Sequence, residues 1–236
     1  VGQTMASLNT KIMKDFSVVL PPTVNEQTAI ATALSDMDAL IDGLRRLIAK
    51  KKNIRQGAMQ ELLTGKRRLP GFDGEWVEVL VGQCGSFVSG NGFPLIYQGH
   101  EDGKYPFYKV SDFNHEGNEY FMRKSNNYIS DIEAQKLQCN LIPERAIIFA
   151  KIGAAIFLER KRLTTQVSCI DNNMMAFLPN QNVHNEFIWL VFQTLALGSY
   201  VQTTALPSLS GKNIGKGKIY IPAEKNEQQM IAKIIL

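Results

Sequence analysis

LPPTVNEQTAIATALSDMDALIDGLRRLIAKKKNIRQGAMQELLTG, from Leu20 to Gly65, reads as one long helix with both ends marked. Thr23 stands three residues before Glu26, the spacing of a capping box, directly after a pair of prolines. Ile30, Leu34, Met37, Ile41, Leu44 and Ile48 then recur in alternating steps of four and three, which is a heptad seam. Leu40, Leu47 and Ile54 add a second apolar stripe. The pattern predicts a helix to about Leu63, with Gly65 as its C-cap and Pro70 barring continuation. A helix of some forty residues is about 60 Å long, too long for one small domain to cover. It is expected to protrude and to bury its seam on another long helix.

The phrase returns near the other end. Positions 201 apart match in order: Ser7 with Ser208, Leu8 with Leu209 and Lys11 with Lys212. Val18, Leu20 and Pro21 fall on Ile219, Ile221 and Pro222, and Asn25, Glu26 and Gln27 on Asn226, Glu227 and Gln228. Ile30 and Ala31 fall on Ile231 and Ala232. This is one full repeat plus the start of the next. Each copy reads as a short strand, a proline break and a helix start. The first strand is expected in DFSVVLPP, Asp15 to Pro22.

From Trp76 onward short β-type runs alternate with Gly, Asn and Asp turns: WVEVLV, YPFYKV, RAIIFAKIGAAIFLE, VSCIDNNMMAFLP and GKGKIYIP. One helical stretch, Asn185 to Thr204, interrupts them. The fold class is therefore α+β: one globular mixed α/β domain plus the long helix.

Composition is that of a globular chain of 236 residues, 44% hydrophobic and 20% charged, enough to bury a real core. The net charge of +4 suits nucleic acid without requiring it. All of that excess is matched between Asn25 and Arg68, where acids lie toward the helix start and bases toward its end, as the macrodipole prefers. A solvated face accounts for much of it. Cys84, Cys139 and Cys169 are too scattered for a disulfide framework or a zinc site, and read as buried small hydrophobes. The longest apolar run, Phe187 to Gly198, is too short to span a bilayer, and the N-terminus lacks a signal-peptide core. A soluble, cytoplasmic chain with no membrane partner is expected.

Catalytic patterns fail one by one. SGKN at Ser210–Asn213 lacks a phosphate loop's first glycine, since Leu206 stands there. GNG at Gly90–Gly92 has no third glycine. His100, His115 and His184 have no metal-ligand spacing, and nothing in the sequence sets Asp131 and Glu133 in a cleft. There is no GxSxG elbow and no Asn-Pro-Pro-aromatic tetrapeptide of an adenine methyltransferase. No catalytic residue, metal ligand or bound cofactor is expected. What remains suits binding. Lys109, Lys151, Arg160, Lys161, Arg162, Lys212 and Lys216 would hold phosphates by releasing counterions. Ser111, Thr164, Thr165 and Gln166, with Asn172 and Asn173, supply polar groups for base edges, and Asn213 joins the DNA-binding set beside Lys212.

These residues resemble a known family. The stretch from Leu20 through KRRLPGF, with its LPP, EQ and MQELLTGK.R elements, is similar to the central conserved region of the specificity subunit of type I restriction–modification systems. GEWVEVLVGQCGSFVSGNGFP, YPFYKVSDF, IIFAKIGA and SCIDNNMMAFLP resemble that family's target recognition domain. The resemblance implies two recognition domains, each reading half of a split double-stranded DNA target. Two long helices packed antiparallel, in coiled-coil-like fashion, would set the spacer between them. It also implies docked methyltransferase subunits carrying S-adenosylmethionine, and a restriction subunit.

In that frame residues 1–22 are the end of a first recognition domain and 23–70 the spacer helix. Residues 71–219 are a whole recognition domain and 220–236 the start of a second helix region. The chain would be a fragment or a half-subunit, and two copies would pair through Ile30, Leu34, Met37, Ile41, Leu44 and Ile48. A helical scaffold without DNA specificity is the alternative reading.

Overall fold

The computed structural model describes residues 13–14, 16–202 and 206–236. Helix α1 covers Val24–Leu62, and the residues that predict its start also make it. The Thr23 hydroxyl oxygen accepts from the Glu26 amide at 3.2 Å. The Gln27 side-chain amide donates to the Pro21 carbonyl at 2.9 Å. At the far end Leu62 and Leu63 are buried. Gly65 then takes φ +69, and a Cβ there would lie 3.1 Å from the Trp76 ring. The left-handed turn and the close ring both ask for glycine. The 39 residues of α1 span about 58 Å.

Over the described residues 16–20 the strand expected just before α1 does not form. Residues 16–20 are exposed and hydrogen-bonded into no sheet. A strand is held by a neighbour's amides and carbonyls, and among the described residues nothing pairs with this one. Asp15 and the matches at Ser7, Leu8 and Lys11 lie outside the described residues.

The chain divides into two compact units, Val1–Ile54 and Arg55–Leu236. The division falls within α1, whereas the sequence reading draws a boundary near residue 70. In the first unit Ile30, Leu34, Met37, Ile41, Leu44 and Ile48 are all exposed, between 45% and 63%.

The second unit has the mixed α+β fold read from the sequence. In chain order it contains β1 (Trp76–Leu80), β2 (Gly85–Ser89), β3 (Tyr105–Tyr108), β4 (Phe121–Met122), β5 (Tyr128–Ile129) and α2 (Asp131–Lys136). Then come β6 (Ile147–Ala150), β7 (Lys161–Thr164), β8 (Cys169–Ile170), β9 (Met174–Pro179), α3 (Asn185–Thr194), α4 (Gly211–Ile214), β10 (Lys218–Pro222) and α5 (Lys225–Ile235). The main sheet has the order β2-β9-β6-β7-β4, antiparallel except for the β7–β4 pair. β5-β3-β8 form a second sheet, and β1 pairs antiparallel with β10.

Helix α3 is the centre of the core. Its residues from Phe187 to Phe192 are all buried, the mark of a helix with no face left for water. The Phe192 ring lies 4.7 Å from that of Phe177 on β9. The Trp189 indole donates to the Lys161 carbonyl at 3.1 Å. The helix stops at Thr194 rather than running to Thr204. The Leu195 amide turns back to the Phe192 carbonyl, and the Leu197 and Gly198 amides go to the Glu159 carboxylate at 3.0 and 2.9 Å. Thr203 and Thr204 lie outside the described residues. No helix among the described residues is long and apolar enough to cross a membrane. The three cysteines are free, Cys84 and Cys169 buried and Cys139 half-buried.

Candidate nucleic-acid interface

Strand register gathers polar groups at one end of the main sheet. Ser89 lies opposite Met175, Ala150 opposite Met174 and Phe149 opposite Lys161. The carboxyl ends of β2 and β6 therefore meet the amino ends of β9 and β7. Four segments leave from that end: Gly90 with Asn91, Lys151 with Ile152, the residue Arg160, and the turn before β9.

Hydrogen bonds tie these segments together. The Lys151 amide donates to the Asn173 carbonyl at 2.7 Å, and the Lys151 carbonyl accepts from Leu209 at 2.9 Å. The Lys151 ammonium donates to the Ser89 hydroxyl at 3.2 Å. Asn91 bridges to Asp171, gives its side-chain amide to the Gln138 carbonyl and accepts from the Asn140 amide. Asn140 in turn donates to the Ser89 carbonyl at 3.0 Å. Gly90 is needed here, since a Cβ would lie 2.0 Å from the Asp171 carbonyl oxygen.

Lys109 and Ser111 reach the same region from β3. The buried Asp112 carboxylate accepts from the Lys109 amide at 2.7 Å and from both nitrogens of Asn126. That bond fixes the short turn Val110–Asn114, on which Ser111 is exposed. The Lys109 ammonium donates to the Gln98 side chain at 2.8 Å, and the Arg160 guanidinium donates to the Asn114 side chain at 2.6 Å. Burial pushes the Asp171 carboxyl up, while the Asn173 amides and the Lys109 charge act the other way.

Lys212 and Lys216 line a groove of about 580 Å³ together with Phe87, Ser89 and Met175. Its walls approach closely because glycines make them. A Cβ on Gly211 would lie 2.6 Å from that of Phe87, and the Gly82 amide donates to the Gly215 carbonyl at 3.0 Å. Ser89 belongs both to this groove and to the Lys151 contact. Asn213 is half-buried on α4.

The structure thus brings Lys109, Ser111, Lys151, Arg160, Lys212 and Lys216 around one sheet end and its adjoining groove. Four other predicted residues lie elsewhere. Lys161 is 1% exposed, and its ammonium donates to the Leu195 carbonyl at 2.7 Å and to Glu159 at 2.8 Å. A cation so enclosed meets no phosphate, which corrects its sequence reading. Arg162 is half-buried, donating to the Asn118 carbonyl at 2.8 Å with its guanidinium 5.9 Å from the Phe113 ring. Thr165 leaves the opposite end of β7, where its hydroxyl donates to the Met122 carbonyl at 2.6 Å. Gln166 follows it, bonded to the Tyr108 hydroxyl.

Sequence reading missed Ser89, Asn91, Gln98, Asn114 and Asn140. The Ser-Gly-Asn-Gly turn signals a break after β2, but its pairing with Asp171 is long-range and has no local signature. Among the described residues no group of three His, Cys, Asp or Glu side chains is placed to hold a metal ion.

A family profile described as the type I restriction modification DNA specificity domain matches residues 1–53 and 75–235. Several solved chains share the fold, three of which follow. The HsdS subunit from Thermoanaerobacter tengcongensis is 16% identical, with a TM-score of 0.56 over 91% of this chain and 50% of that one. The type I restriction-modification S subunit from M. genitalium is 20% identical, with a TM-score of 0.60 over 90% and 54%. A chain from the study of complex assembly and conformational transition of the type I R-M system is 17% identical, with a TM-score of 0.57 over 92% and 52%. At these identities the likeness is one of fold, and this chain spans about half the length of each.

Proposed function

Because the chain belongs to the type I restriction modification DNA specificity domain family, we propose that it recognises one half of a split double-stranded DNA target. The chemistry falls to its partners. The observation that carries this reading is the convergence of Lys109, Lys151 and Arg160 on one sheet end beside the groove of Lys212 and Lys216. Cations at that edge set the register on phosphates, and polar side chains between them read bases. The partners in this reading are methyltransferase subunits, which hold S-adenosylmethionine, and a restriction subunit, in the cytoplasm.

The apolar seam of α1 then serves helix pairing, with a second copy or with a second helix of a longer chain. Residues 1–22 are the close of an upstream recognition domain, a role supported by their match to the segment around β10. Methylation mapping with and without this chain is the direct test. One split motif, methylated only when the chain is present, is the expected result. Methylation with no sequence preference would overturn the reading.

The exposed seam also favours a second reading, a helical scaffold that binds no DNA. Salt separates the two. Phosphate binding falls steeply as salt rises, whereas association through an apolar seam does not.

A further inference from the structure

We propose that Asn172 is a base-reading residue of this sheet end, presenting its carboxamide to an adenine edge in the major groove. This rests on the DNA-recognition reading above and narrows it to one side chain.

Asn172 occupies a turn whose backbone is pinned on several sides. The Met174 amide donates to the Asp171 carbonyl at 3.0 Å and closes the turn. The Asp171 carboxylate accepts from the Asn173 amide and from its side-chain nitrogen, each at 3.1 Å. Across the turn the Asn173 carbonyl takes the Lys151 amide at 2.7 Å. Gly90 lets the strand end close against Asp171, where any side chain would collide.

The two neighbours of Asn172 therefore do the structural work. Asp171 is buried and Asn173 is held by it, while Asn172 itself is exposed. Among the described residues its carboxamide makes no hydrogen bond. A free amide on a rigid turn is arranged as a reader has to be, because little ordering is left to complete on binding. Lys151 and Lys109 flank the turn and supply the phosphate contacts that fix its depth. An asparagine carboxamide matches adenine, accepting from N6 and donating to N7 in one bidentate pair.

The test is selection from a randomised duplex library by the full chain with its methyltransferase partners. Wild type is compared with Asn172→Ala, Asn172→Asp and Lys151→Ala, after melting curves establish that each variant is folded. Asn172→Ala is expected to lose roughly five- to 150-fold on the selected site, with one formerly adenine position relaxed and little change on random DNA. Asn172→Asp, which can only accept, is expected to move that position toward cytosine. Lys151→Ala should weaken all sequences alike and reduce the salt slope by about one. An Asn172→Ala protein that selects the same motif with wild-type affinity overturns the assignment while leaving DNA recognition standing. A wild-type chain that selects no motif overturns both.

Discussion

The buried Lys161 pairs with the half-buried Glu159, and each pulls on the other's titration. Burial pushes the Lys161 ammonium down from its usual 10.5, with Glu159 opposing. Burial raises the Glu159 carboxyl, but the Lys161 ammonium and the amides of Gly198 and Leu197 together outweigh it. Glu159 therefore titrates below its usual 4.5 in the folded chain. The folded state binds fewer protons than the unfolded one in that window. The stabilisation is complete above about pH 4.5 and is lost as pH falls through the lower folded value. Glu159→Gln is expected to flatten this part of the acid unfolding curve, followed by circular dichroism. Lys161→Ala leaves the Leu195 carbonyl and Glu159 without their partner, and about 3 kcal/mol should be lost in urea unfolding. The salt slope of DNA binding should stay unchanged in that variant, unlike in Lys151→Ala. The sequence RKR at 160–162 gives no sign of this division. Strand alternation turns the middle residue of the three inward, and only the tertiary contact with Leu195 makes its burial tolerable.

Helix α1 was legible to within a residue because each of its signals is local: Thr23 to Glu26, a heptad, and Gly65. Helix α3 was legible only in part. Its start and apolar body are local, but its end is set by Glu159, nearly forty residues away, whose carboxylate takes the Leu197 and Gly198 amides. The strand over residues 16–20 failed for the same reason, since β propensity cannot supply a neighbour. For α1 the seam itself carries a prediction. Ile41 and Leu44 are each about half exposed, so Ile41→Asp with Leu44→Asp should shift thermal stability by less than about 0.5 kcal/mol per site. Under the helix pairing proposed above, the same pair of changes should abolish association of two copies in sedimentation velocity, because two charges would enter an apolar seam. A variant that still associates as wild type does would remove the seam from the pairing surface.

At the scale of the whole molecule the repeated phrase has two fates. In the second copy Glu227 is 1% exposed, and its carboxylate takes the Arg68 guanidinium in two bonds of 2.8 and 2.9 Å, with the Trp76 indole at 3.4 Å. Gln228 donates to the Pro222 carbonyl and accepts from the His184 amide. Ile231, Ala232 and Ile235 are buried behind them. In the first copy Gln27 makes the equivalent bond to Pro21, also at 2.9 Å. Yet Glu26, Ile30, Ala31 and Leu34 are exposed. The repeat was plain in the sequence, but not which of its residues act locally and which need distant partners. The glutamine's backbone bond is local and occurs twice. The glutamate's role needs Arg68 and Trp76 and occurs once among the described residues. Glu227→Gln keeps the shape but removes the charge opposite Arg68, which is itself about a third exposed. It should cost about 2 kcal/mol of stability, whereas Glu26→Gln should cost less than about 0.5 kcal/mol. Urea unfolding of the two variants of the full chain, followed by Trp76 and Trp189 fluorescence, measures both. Equal losses would mean that Glu26 also has a buried cationic partner, and the two copies would then be equivalent in energy as well as in sequence.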